Sequence, residues 1–156
     1  MLFRSAEIVP GKGHATPRPD RLRERLIRLW AGPQGASKAA IAAGSNASVT
    51  WSGSTPTVSF PIPGVSGAVA RARLNANNQA EHVDVQDGAG RTTFDYASYD
   101  DYNNPLNKIE AFMPGTMVER HNGGVVRDLT TTETETGNVY VVMPVPASVR
   151  AAASHP

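Results

Sequence analysis

The chain has 156 residues, of which 40% are hydrophobic and 19% charged, a composition that suits one folded domain and argues against wholesale disorder. Its 15 basic and 14 acidic residues nearly cancel, so no overall positive field indicates nucleic acid as a partner. The absence of cysteine excludes disulfides, thiolate metal sites and cysteine nucleophiles together. No apolar run approaches the roughly 18 residues that a membrane-spanning helix needs.

The charge is distributed unevenly along the chain. Residues 1–38 carry eight basic against three acidic residues, a net +5, and the remainder carries seven against eleven, a net −4. The basic part is also the part with helical periodicity. A basic amphipathic helix is usually a solvated helix face, and it also allows weak contact with an anionic membrane surface.

The first nineteen residues show no sustained apolar period. They contain three prolines and two glycines and lack the apolar run of a signal peptide, so we expect a disordered or extended lead over residues 1–19. Residues 1–5 resemble one reading frame of a sequencing-library adapter, which predicts a scar there. We expect a single domain over residues 20–150 and a linker stub or tail over residues 151–156.

Two short helices are predicted next. Asp20 is a suitable N-cap, and Leu22, Leu26, Leu29 and Trp30 then recur at helical spacing. Gly32-Pro33 ends this helix, because glycine favours the left-handed end position and proline cannot continue it. A second helix is predicted from Pro33 to Ala43, with Gly44 at its end.

From Asn46 onward the apolar period is two, which predicts strands. Their connections are too short for helical crossovers, so the sheet should be antiparallel. We therefore predict an α+β fold, in which two short helices precede a strongly curved antiparallel sheet or open barrel of about eight or nine strands. The predicted strands are Ala47–Ser52, Thr57–Ile62, Ala68–Leu74, Ala80–Gln86, Thr92–Ser98, Asn107–Met113, Met117–His121, Val125–Thr132 and Val139–Met143.

Motifs that carry chemistry are scarce. The four histidines are not spaced as metal ligands, and the chain contains neither a nucleophile elbow nor a phosphate loop, so we expect no metal and no cofactor. One alternative is a small cone-fold enzyme of the acid–base isomerase, cyclase or hydrolase type. Its candidate residues are Asp95, Tyr96 and His82, which would have to point into one pocket between the helices and the curved sheet.

A second hypothesis follows from the small side chains on one face of the predicted strands, since small residues on a concave face leave space. That space is filled either by the helices or by a hydrophobic small molecule or lipid. The candidate ligand-binding residues are Trp30, Trp51, Phe60, Phe94, Tyr96, Ile109 and Met113.

Three groups of motifs resemble a known arrangement. They are LWAGPQG and KAA within residues 29–40, YASYDDY and NKI within residues 96–109, and VRDLT, Asn138 and PVPASVR within residues 126–150. This order resembles the β-rich region that precedes the catalytic domain of some exported bacterial metallo-β-lactamase-fold hydrolases, a region similar in build to open-barrel lipoprotein carriers.

The resemblance implies a non-catalytic domain in the periplasm or outside the cell, which binds a hydrophobic ligand or docks a hydrolase domain. The HxHxDH zinc signature of that hydrolase domain is absent from this chain, so no metal ligand carries over.

Overall fold

The computed structural model describes residues 6–8, 15–101 and 112–132. The described residues before Leu26 belong to one compact unit, and Leu26–Gly137 forms another. In the first unit, β1 (Ala6–Ile8) pairs antiparallel with β2 (Ala15–Pro17), so the lead that we expected to be disordered or extended contains a strand pair. The predicted scar at residues 1–5 and the predicted stub at residues 151–156 lie outside the described residues.

Both predicted helices are present, as α1 (Leu22–Ala31) and α2 (Pro33–Ala43). Asp20 lies in a single 3-10 turn before α1, where its carboxylate accepts a hydrogen bond of 2.8 Å from the Arg18 guanidinium. The turn from α1 into α2 is tight, and a methyl group on Gly35 would lie 2.0 Å from the carbonyl oxygen of Leu29. Glycine at position 35 therefore allows the two helices to follow one another with a single residue between them.

The strands of the second unit form one open, curved antiparallel sheet, which confirms the predicted fold class. Seven strands follow one another in chain order, so every described neighbour in the sheet is also a neighbour in sequence. They are β3 (Ser48–Ser52), β4 (Thr55–Pro61), β5 (Val69–Leu74), β6 (Ala80–Asp87), β7 (Gly90–Asp101), β8 (Phe112–His121) and β9 (Gly124–Thr130).

One strand boundary differs from the prediction. The strands predicted to end at Met113 and to begin at Met117 are parts of a single strand, β8. Pairing continues through this segment because Gly115 approaches the backbone of Ser98, where a Cβ would lie 2.8 Å from the carbonyl oxygen. Residues 107–111 and the predicted strand Val139–Met143 lie outside the described residues.

The two faces of the sheet differ in chemistry. The inner face carries the largest fully buried side chains, and the outer face carries ion pairs between partly exposed side chains. Tyr96 and Glu119 on the inner face contact the α1 residues Ala31 and Arg28, so α1 lies over this face. The largest fully buried side chains are Phe60, Val83, Val85 and Phe94.

The apolar stripe of α1 is only partly buried. Leu26 and Ile27 are buried, whereas Leu29 is 55% exposed and Trp30 is half-buried. Within the described residues, the helices are too short and too polar to cross a membrane.

Candidate functional site

The aromatic residues predicted to bind a ligand are mostly core residues. Phe60, Phe94 and Tyr96 are each less than 5% exposed. The rings of Phe94 and Tyr96 lie nearly parallel with centroids 6.4 Å apart. These side chains fill the centre of the inner face beneath α1, which favours filling by the protein itself over filling by a ligand, the two outcomes that the sequence left open.

The other predicted ligand-binding residues are dispersed. Trp51 lies on the edge strand β3 and is 68% exposed, and Met113 lies near the start of β8. Trp30 is half-buried, and its indole Nε1 finds no hydrogen-bond acceptor among the described residues. Ile109 lies outside the described residues. The structure therefore does not gather the described members of the predicted set around one cavity.

The three candidate acid–base residues lie on opposite faces of the sheet. His82 Nδ1 is 2.6 Å from an Asp95 carboxylate oxygen, and the Arg120 guanidinium donates to the other oxygen of the same carboxylate. The side chains of His82, Asp95 and Arg120 are on the outer face, and each is at least one quarter exposed. Tyr96 points to the inner face, because adjacent residues of a strand alternate. The enzyme hypothesis requires Asp95, Tyr96 and His82 to point into one pocket. The structure places Tyr96 on the opposite face from the other two.

The hydroxyl group of Tyr96 caps the C-terminus of α1. It donates a hydrogen bond of 3.0 Å to the carbonyl oxygen of Ala31, the last residue of α1, which has no intrahelical partner. Burial raises the pKa of the Tyr96 phenol, so this group stays protonated and acts as a donor.

An ionic cluster on the inner face was not predicted from the sequence. Glu119 is 3% exposed, and its two carboxylate oxygens each accept a hydrogen bond of 2.9 Å from Arg28 Nε. Arg28 Nη2 is also 2.9 Å from the carboxylate, and Arg127 Nε on β9 lies 3.6 Å away. The cluster joins α1 to β8 and β9 and compensates a buried charge, so its geometry suits a structural role.

A cleft of about 290 Å³ lies between α2 and the ends of the central strands. Gln34 and Lys38 line it from α2, and Ala80, Tyr99 and Phe112 line it from the sheet. Tyr99 is held in place by a hydrogen bond of 2.5 Å to the carbonyl oxygen of Ala80. The volume is at the lower end of the range for small-molecule sites, about 300–1,000 Å³.

The two edges of the sheet present exposed apolar side chains. On β3, Val49 is 52% exposed and Trp51 is 68% exposed. They pair with Val58 and Pro56, which places them on the same face as the buried Phe60. The covered inner face of the sheet therefore continues into an uncovered strip along β3.

The opposite edge, β9, is exposed at each of its seven positions. Leu129 is 48% exposed and pairs with Met117 on the inner face. Val125 is 61% exposed and pairs with Arg120 on the outer face, and Val126, at a register irregularity, is 49% exposed. Apolar side chains therefore project on both sides of this edge, which has no further strand among the described residues.

No group of three or more His, Asp or Glu side chains in the described ranges is placed to hold a metal ion. Comparisons with protein-family models, with curated proteins and with solved structures found no match. Among the described residues, the cleft and the two sheet edges are features that could receive a ligand or a partner.

Proposed function

We propose that this chain is a non-catalytic docking domain and that β9 is the edge to which a partner domain attaches. The observation that carries the proposal is the exposure of all seven β9 residues together with the apolar side chains of Val125, Val126 and Leu129. An edge strand has unpaired backbone donors and acceptors, so a strand of another domain can extend the sheet there.

The filled centre of the inner face supports docking over ligand carriage. A carrier with a curved sheet needs a cavity beneath that sheet, whereas Phe60, Phe94 and Tyr96 are packed in that position. The separation of Tyr96 from His82 and Asp95 likewise favours a non-catalytic role.

The partner is a hydrolase domain of the metallo-β-lactamase fold, as the sequence resemblance suggests. Its docking strand carries an apolar side chain against Leu129 and an acidic side chain near Arg127. Arg127 is suited to such a contact, since its side chain is 45% exposed and lies 3.6 Å from Glu119, longer than a hydrogen bond.

The test is calorimetric titration of this chain with a metallo-β-lactamase-fold catalytic domain from the same genome. We expect a dissociation constant in the micromolar range or below, weakened at least about tenfold by Leu129→Lys. Val69→Lys is the matched control, because Val69 is an apolar residue on β5 that is 42% exposed. The proposal is wrong if binding is undetectable at about 100 μM or if both variants bind as the wild type does.

A second candidate function is binding of a hydrophobic small molecule in the cleft lined by Tyr99 and Phe112. An environment-sensitive dye tests this second candidate. Dye fluorescence that is lost on Phe112→Ala would support ligand binding at this position, and fluorescence unchanged by Phe112→Ala would exclude it.

A further inference from the structure

The strand β3 (Ser48–Ser52) lacks the features that protect most edge strands. Its five residues are all exposed, and none is charged or proline. Its register with β4 runs without a bulge from Ser48 to Ser52. Edge strands that do not associate usually carry lysine, proline, a bulge or an inward-pointing charge. The β3 edge is therefore open to pairing with a further strand.

The order of residues in β3 makes the strand complementary to itself. Serine stands at both ends, an apolar residue stands at each inner position, and Thr50 is at the centre. We propose that two copies of this chain pair through β3 in an antiparallel arrangement centred on Thr50. This interface is independent of the proposed docking at β9, because it uses the opposite edge of the sheet.

Pairing in this register places apolar residues opposite apolar residues and serine opposite serine. Val49 lies opposite Trp51 of the second copy, and Ser48 lies opposite Ser52 of the second copy. Pairs of an aromatic and a β-branched residue are favourable across antiparallel strands. The twofold axis repeats each pair, so Val49 and Trp51 of both copies cover one another on the inner face. The two sheets then join into one continuous sheet.

The residue order of β3 favours a second copy as the occupant, and charge favours β3 over β9 as the edge where two copies pair. Because β3 is uncharged, pairing with itself places no like charges opposite one another. The same operation on β9, centred on Arg127, would place Arg127 opposite its copy and Val126 opposite Asp128 of the copy. The net charge of the whole chain is +1, so repulsion between two copies is small.

Cysteine cross-linking tests the register directly, because the chain has no native cysteine. In the proposed dimer the two Thr50 Cα atoms are about 4.5–5.5 Å apart, within the range that a disulfide bridges. We expect Thr50→Cys to form a covalent dimer under mild oxidation much faster than Val125→Cys, which places the thiol at an exposed position on β9. Equal rates for the two variants would overturn the proposal.

Sedimentation velocity tests the interface without a cross-link. We expect the wild type to dimerise with increasing concentration, Trp51→Lys to weaken the dimer at least about tenfold, and Leu129→Lys to leave it unchanged. Circular dichroism shows whether the variants are folded, and the exposed position of Trp51 makes folding of Trp51→Lys the expected result. A wild type that stays monomeric at about 500 μM overturns the proposal. The proposal is also overturned if Trp51→Lys abolishes binding to the hydrolase domain and leaves dimerisation unchanged.

Discussion

Arg28 and Glu119 form a buried ion pair between α1 and β8, with both carboxylate oxygens 2.9 Å from the same guanidinium Nε. The two residues are 91 positions apart in the chain. Glu119 is 3% exposed, and its carboxylate is compensated by this partner and by Arg127 at 3.6 Å. The pair fixes the position of the helix over the sheet.

Arg28→Ala should therefore destabilise the domain strongly. Removing one partner leaves the Glu119 carboxylate buried with only the longer contact to Arg127, and we expect a loss of about 3 kcal/mol in the free energy of unfolding. Chemical denaturation measures it. The double variant Arg28→Met with Glu119→Leu is the control, because it removes both charges and should be more stable than Arg28→Ala. A cost below about 1 kcal/mol for Arg28→Ala would contradict the structural role of the pair.

The outer-face cluster should behave differently. Asp95 is 44% exposed, and its partners His82 and Arg120 are partly exposed as well. Exposed ion pairs contribute little, so we expect Asp95→Asn to cost less than about 1 kcal/mol. Denaturation at low and at high salt checks this, because screening should shrink the difference between Asp95→Asn and the wild type. A cost as large as that of Arg28→Ala would show that the outer face is not solvated as described.

Gly35→Ala should disrupt the turn between the helices. The added methyl would lie 2.0 Å from the Leu29 carbonyl oxygen, so the backbone of α1 or α2 has to move. We expect a loss of at least about 2 kcal/mol, observed as a lower denaturation midpoint. Gly32→Ala is the matched control, because its methyl would meet no atom closer than 3.5 Å and should cost at most about 1 kcal/mol. Equal effects of the two substitutions would refute the close approach at residue 35.

Stability should fall in strongly alkaline solution because of Tyr99. Burial raises the pKa of its phenol to about 12, above the unfolded value of about 10. The folded state holds this proton more tightly, so the contribution is complete below about pH 10 and is lost as the pH rises to about 12. Denaturation across this range should show a shallower decline for Tyr99→Phe than for the wild type. Parallel declines would mean that Tyr99 titrates normally.

The sequence predicted the fold well because periodicity and turns are local properties. The switch from helical period to period two at Asn46 placed both helices and the direction of the strands, and Gly32-Pro33 marked the break between α1 and α2. Alternation also places Asp95 and Tyr96 on opposite faces, so this signal was present in the sequence.

The site was harder to predict because it depends on distant neighbours. The sequence around Glu119 does not indicate that Arg28 will compensate its charge. The sequence around Trp51 does not indicate that its strand will lie at the edge of the sheet. Trp51 was predicted to bind a ligand, whereas the structure places it on an exposed edge strand. Its exposure follows from the position of β3 at the end of the sheet, which only the assembled topology reveals.

The most direct test of the docking function is backbone amide hydrogen exchange at β9, measured on the chain alone and mixed with the metallo-β-lactamase-fold domain. The β9 amides that face away from β8 have no partner strand among the described residues, so they should exchange rapidly in the isolated chain. If a partner strand docks there, their exchange should slow by at least about tenfold, while exchange in the β5–β6 core remains unchanged. Rapid exchange at β9 in a mixture whose binding has been demonstrated would contradict docking at this edge.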